Sequence, residues 1–118
     1  MSSTLHVGLA TGRWQKLTLL EQLANIGSEV GRATRARSLG NEQRFANALD
    51  RCLELFDLTL ADDRWHHRRR EIARAREIVC DFLVGDNDAR STAESLDAYF
   101  LPFAMASRNR NVGRTAPR

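Results

Sequence analysis

Apolar residues recur every three or four positions in four successive blocks, and each block predicts an amphipathic helix. The first carries Leu19, Leu23, Ile26 and Val30. It opens on "TLLE", where Thr18 and Glu21 have the spacing of a capping box, and Gly40 marks its stop. The second runs from Asn41, a good N-cap residue, to about Ala61. Its inner stripe is Phe45, Leu49, Cys52, Leu53, Phe56 and Leu60, widened by Ala48, Leu55 and Thr59. Leu58 falls on the opposite face, among Asn47, Arg51 and Glu54, so packing against more than one neighbour is expected. The third helix begins at Asp62 or Asp63 and carries Trp65, Ile72, Ala75, Val79, Phe82 and Leu83 before Gly85 ends it. The fourth opens on "STAE", with Ser91 as cap and Glu94 as its partner, and presents Leu96, Tyr99, Phe100 and Phe103. Pro102 predicts a kink or an early end, and the apolar pattern stops after Met105.

No block alternates with the two-residue period of a strand. Four amphipathic helices joined by short links predict an all-α fold, an antiparallel four-helix bundle over residues 18–106. An irregular segment, 1–17, precedes it, and a mobile basic tail, 107–118, follows. Within the first helix Gly27 and Gly31 stack beside the apolar stripe, at a cost of about 2 kcal/mol in helix propensity relative to alanine. Two glycines four residues apart leave a shallow groove into which another helix can sit closely, so dispersion contacts offset that cost. They lack the lysine-serine/threonine ending and preceding strand of a phosphate-binding loop. Gly27, Gly31 and Leu58 are therefore the candidate positions for packing against a subunit or partner, and a homo-oligomer is expected.

Length and composition agree with one ordinary globular domain: 118 residues, 42% hydrophobic and 28% charged. No apolar run reaches the roughly 20 residues that span a bilayer. The start of the chain lacks the basic and apolar regions of a signal peptide, so a cytoplasmic protein without membrane contact is expected. Cys52 and Cys80 lack metal or redox spacing and read as thiols acting as small hydrophobes, the alternative being a disulfide between the second and third helices, which needs their Cβ atoms within about 4.5 Å. The pI of about 9.5 points to polyanions, but the charge is uneven. Residues 107–118 hold four arginines and no acid, which leaves −1 of the net +3 for the rest of the chain.

The stretch "DDRWHHRRRE" concentrates the polar chemistry. His66 and His67 project away from the core face and do not converge, so no metal and no cofactor is predicted. Arg64, His66, His67, Arg70 and Arg74 form an outward basic strip which, with Arg108 and Arg110 of the tail, could hold the phosphates of RNA or DNA. Arg68 and Arg76 lean toward the apolar face and call for carboxylate partners, for which Asp50 and Asp57 on the second helix are placed. Nothing forms a serine–histidine–acid constellation, an HExxH motif or a converging carboxylate pair, so a non-enzyme is expected.

Taken together, "LANIGSEVGRA", "ALDRCLELFDLTLADDR", "REIARAREIVCDFLVGDN" and "STAESLDAYFLPFA" resemble a small, uncharacterised family of prokaryotic helical-bundle proteins over about residues 14–106. In size and helix pattern the chain also resembles the four-helix-bundle proteins encoded in intervening sequences of bacterial ribosomal RNA genes. The same holds for the accessory proteins of diversity-generating retroelements. The last resemblance implies an oligomeric accessory protein that engages a reverse transcriptase and nucleic acid. The near-neutral body of this chain departs from that group. The expectation is a non-enzymatic, homo-oligomeric accessory or scaffold protein for a nucleic-acid-handling complex. The alternatives are a protein-only adaptor and a small helical enzyme.

Overall fold

The computed structural model describes residues 12–115. Four helices follow one another: α1 (Leu19–Ser38), α2 (Glu42–Leu60), α3 (Arg69–Leu83) and α4 (Ala93–Thr115). No strand occurs among the described residues. The all-α, four-helix expectation is met.

Local chemistry sets most of the ends. Thr18 accepts the Glu21 backbone N–H, and the Glu21 carboxylate accepts the Thr18 N–H, which closes the expected capping box. Asn41 caps α2 by accepting the Arg44 N–H. Between these helices Gly40 takes φ +74, and the Asn41 N–H reaches back to the Ala36 carbonyl, closing α1 with a left-handed residue. The cap of α4 lies one residue later than the sequence suggests. Thr92 and Ser95 exchange reciprocal hydrogen bonds, while the Ser91 N–H is taken by the side chain of Asn87. The asparagine, held at φ 54, captures Ser91 before it can cap.

Contacts between ends fix the directions. The Trp14 indole donates to Thr59 Oγ1, placing the start of α1 beside the end of α2. Arg69 donates to the Leu60 carbonyl and Arg76 to Asp57, so α3 returns along α2. Arg37 donates to the Phe82 and Leu83 carbonyls, at the negative end of α3, and its guanidinium stacks on Phe82. α1 and α2, and α2 and α3, thus run in opposite directions. α1 is the central rod, packed most extensively against α2 on one side and α4 on the other, while α3 rests mainly on α2.

The core joins Leu23, Ile26 and Val30 of α1 to Cys52, Leu55 and Phe56 of α2, Ile72 and Val79 of α3, and Leu96 and Phe100 of α4. On α2 the fully buried stripe is Ala48, Cys52, Leu55, Phe56 and Thr59, whereas Phe45, Leu49 and Leu60 are half-buried. The stripe is turned from the predicted one because Thr59 faces the Trp14 indole. Leu58, expected on the face opposite the inner stripe, is half-buried against the same core.

Three boundaries differ from expectation. Residues 14–16 form a 3-10 turn instead of an irregular lead, and Trp14 is a core residue at 1% exposure. Residues 1–11 lie outside the described part. The third helix is broken, since Asp63–Arg68 is a 3-10 stretch with Trp65 at φ −108, ψ 19. Of its side chains Trp65 turns toward α1, donating its indole N–H to Gln22 Oε1, while His66 and His67 stay exposed. Finally, α4 continues through Pro102 to Thr115 and does not end near residue 106. Pro102 is exposed, and so is Ala98, whose carbonyl loses its helix partner to the proline and can face water. The expected tail is therefore helical backbone as far as Thr115, and only residues 116–118 of it lie outside the described part.

Gly27 has a reason within the chain. A Cβ built there would lie 2.6 Å from Phe100 Cβ, so glycine lets α4 close on α1. Its packing partner is α4 of the same molecule.

Candidate nucleic-acid interface

A basic cleft lies between α1 and α2, next to Gly40, apart from the strip the sequence singles out. Arg32 and Arg35 come from the last turns of α1. Arg44, Asn47 and Arg51 come from α2, at i, i+3 and i+7 on one helix face. With Asn41 and Leu39 they line a cleft of about 400 Å³ whose walls contain no carboxylate. Leu39, at its mouth, is 79% exposed.

The nearest acid is Glu29, buried below these residues at 8% exposure. Glu29 Oε2 accepts from Arg32 at 2.8 Å. Glu29 Oε1 lies 3.8 Å from Arg51 and accepts no hydrogen bond within the described part. Two of the four guanidiniums therefore share one carboxylate. Arg35 and Arg44 are exposed and have no carboxylate partner among the described residues. The positive end of the α2 dipole opens beside them at Asn41. Such an arrangement suits an anion with several oxygens, because planar guanidiniums donate in pairs to phosphate.

The predicted strip on α3 is divided. His66, His67, Arg70 and Arg74 are all exposed, and the two imidazoles pack edge to face at 5.7 Å. Arg64 is engaged within the chain. It donates to Asp62 at 2.7 Å and to the Leu17 carbonyl at 2.8 Å, and lies 4.4 Å over the Trp65 ring. Arg108 is exposed on α4, well along from the α3 residues, and the Arg110 side chain lies outside the described part. The expected ion pairs are half correct. Arg76 meets Asp57 at 3.1 Å, but Arg68 pairs within its own helix turn with Glu71 at 2.7 Å, and Asp50 joins no ion pair among the described residues. The 3-10 stretch ahead of α3 turns Arg68 away from α2.

Arg64 belongs to a buried polar network that the helical pattern could not reveal. Gln22, fully buried, donates to the Trp14 carbonyl and to Asp62 Oδ2 and accepts from the Trp65 indole. Hydrogen bonding from Arg64 holds the Asp62 carboxyl below its usual range, against the opposing effect of burial. The network has a structural role: it ties the 3-10 turns to α1 and α2. One signal was present, in that Trp14 and Trp65 each bury a large area while offering a single polar handle.

The thiols are both free. Burial, with smaller contributions from Cys80 and Glu29, pushes the Cys52 thiol up to about 12, and burial also raises Cys80. Neither has the lowered pKa of a nucleophile. Among the described residues no three histidine, cysteine or acidic side chains converge in a way that could hold a metal ion. No helix of the described part is long and apolar enough to cross a membrane. An apolar cleft of about 300 Å³ separates α3 from α4, lined by Ile78, Val79, Leu96 and Tyr99 with Arg74 at its rim. Burial raises the Tyr99 hydroxyl pKa.

Comparison with known proteins adds no relative: no family model, no curated protein and no solved structure matches the chain.

Proposed function

We propose that this protein is a non-catalytic, homo-oligomeric accessory module of a nucleic-acid-handling complex, such as one built around a reverse transcriptase, and that it binds the phosphate backbone in the α1–α2 cleft. One observation carries the reading: Arg32, Arg35, Arg44 and Arg51 converge on a cleft without carboxylates in its walls, and Arg35 and Arg44 have no carboxylate partner among the described residues. The near-neutral charge of residues 1–106 does not oppose it. Local density of guanidiniums, not net charge, sets phosphate affinity at a site. Arg70 and Arg74 supply a second, weaker contact region.

Retention of single- and double-stranded RNA and DNA on filters at two salt concentrations tests the reading. The wild-type chain should retain oligonucleotide with an affinity that falls steeply as salt rises. Arg35→Glu with Arg44→Glu should weaken all sequences alike and lower the salt slope by about one per lost phosphate contact. Arg70→Glu with Arg74→Glu should have the smaller effect. Equal retention by wild type and the Arg35/Arg44 variant, or no retention at low salt, refutes it, and the latter result favours a protein-only adaptor.

A further inference from the structure

α4 is apolar on the side it buries and on the side it exposes. Leu96 and Phe100 enter the core, while Ala98, Leu101, Pro102 and Met105 form a continuous outer face, with Leu101 at 53% and Met105 at 49% exposure. A contiguous exposed apolar face of this kind marks an interaction surface. Beside this face runs a cleft of about 480 Å³, floored by Ala24, Gly27, Ser28 and Gly31 of α1 and walled by Leu101. Gly27 is explained by Phe100, but Gly31 is not. A Cβ at Gly31 would touch only Arg35 Nη1, at 3.5 Å.

We infer that this face is the contact between two copies of the chain, related by a two-fold axis parallel to α1 and α4. This rests on the self-association within the function proposed above, not on its phosphate contacts. The rotation lays α4 of each copy across α1 of the other, so that four helices close a second bundle. Leu101 then fills the Gly31 hollow of the second copy. The charges at the two ends of the cleft match the same rotation. Arg32, Arg35 and Asp97 lie at one end, and Glu21 and Arg108 line the groove that continues past Ala24 at the other. Parallel to the axis each end meets its own kind, so Asp97 faces Arg32 of the second copy, leaving Arg35 to the α1–α2 cleft, and Arg108 faces its Glu21. The contact is isologous and closes as a dimer.

Sedimentation equilibrium with two single variants tests the pairing. Gly31→Leu fills the hollow and Leu101→Ala removes the knob; a Cβ at position 31 meets only the far end of Arg35, in ordinary contact at 3.5 Å, and Leu101 is on the surface, so both should keep wild-type helicity and melting cooperativity. Wild type should sediment as a dimer. Each variant alone should raise the dissociation constant by at least about tenfold. An equimolar mixture should regain near wild-type affinity. In the mixed dimer the shortened side chain at position 101 of one copy lies over the filled position 31 of the other, and the native Leu101 lies over the native Gly31. A wild-type monomer at about 100 µM, another stoichiometry, or a mixture no tighter than its components overturns the interface. Filter binding by the same wild-type preparation decides the phosphate reading separately.

Discussion

The hydrogen bond between the Trp14 indole and Thr59 Oγ1, 3.1 Å long and formed where both residues are at most 1% exposed, can be measured by itself. Thr59→Val keeps the shape and removes the acceptor. The indole N–H is then left buried without a partner, which costs about 1–3 kcal/mol. The new methyl group buries apolar area worth about 0.8 kcal/mol. The Leu55 carbonyl loses the Thr59 hydroxyl but keeps its place in the α2 backbone ladder. A net loss of about 1–2 kcal/mol is expected, a large share of the roughly 5–15 kcal/mol that holds a domain of this size together. Urea denaturation followed by far-ultraviolet circular dichroism and by tryptophan fluorescence measures it, with an unchanged m-value as the check that only stability has moved. Trp14→Phe and the double variant complete a cycle. With the indole donor gone, Thr59→Val should cost little, and the coupling energy should be about 1 kcal/mol. A Thr59→Val protein within about 0.3 kcal/mol of wild type, or a coupling near zero, would refute the claim that residues 14–16 are fastened to α2 through this bond.

Gly27→Ala should destabilise by about 1–3 kcal/mol in the same urea assay, since the added Cβ would sit 2.6 Å from Phe100 Cβ and α4 must shift. Gly40→Ala should cost about 1 kcal/mol through backbone strain alone, because its φ is +74 and the space around its Cβ position is open. Because Asp62 has a lowered pKa in the folded chain, its contribution is complete above the unfolded carboxyl value and disappears as pH falls through the folded one. Stability should thus decline from about pH 5 downward, and Asp62→Asn should flatten that decline while lowering the plateau. A disulfide reagent at neutral pH should modify the half-buried Cys80 first and reach Cys52, with its pKa of about 12, only on unfolding.

Helix content was legible because each apolar stripe had to face a common core. Leu23, Ile26 and Val30 are buried as their spacing requires. The capping box at Thr18 and the stop at Gly40 follow from residue chemistry alone and stand where expected. What the sequence concealed depends on contacts between distant segments. Trp14 precedes any periodic block, so nothing local marks it as core, and only the presence of Thr59 and Gln22 makes it so. Arg64 sits within a run of basic residues that looks solvated, yet Asp62 two positions earlier and Trp65 one position later fold it back onto the chain. The four arginines of the cleft were visible individually. Their convergence was not, because it needs the tight turn at Gly40 to bring the last turns of α1 beside the first turns of α2.

α1 explains why these features coexist on so small a chain. One face, Leu23–Ile26–Val30, is given to the core; a second edge, at Gly27, admits α4; a third, at Arg32 and Arg35, borders both clefts. Glu29 lies between the core and the arginines and reaches two of them at unequal distances, 2.8 Å to Arg32 and 3.8 Å to Arg51. A buried carboxylate with one oxygen lacking a donor is costly, and the same charge weakens any polyanion above it. Glu29→Gln separates the two effects. If Glu29 serves only as a counter-ion to the cleft, the variant should fold at least as stably as wild type and hold oligonucleotide more tightly, with a steeper salt slope. If Arg32 and Arg51 instead depend on Glu29 for their positions, the variant should bind more weakly while its stability is unchanged. The geometry favours the first outcome, since Arg51 stands too far from Oε1 to be positioned by it.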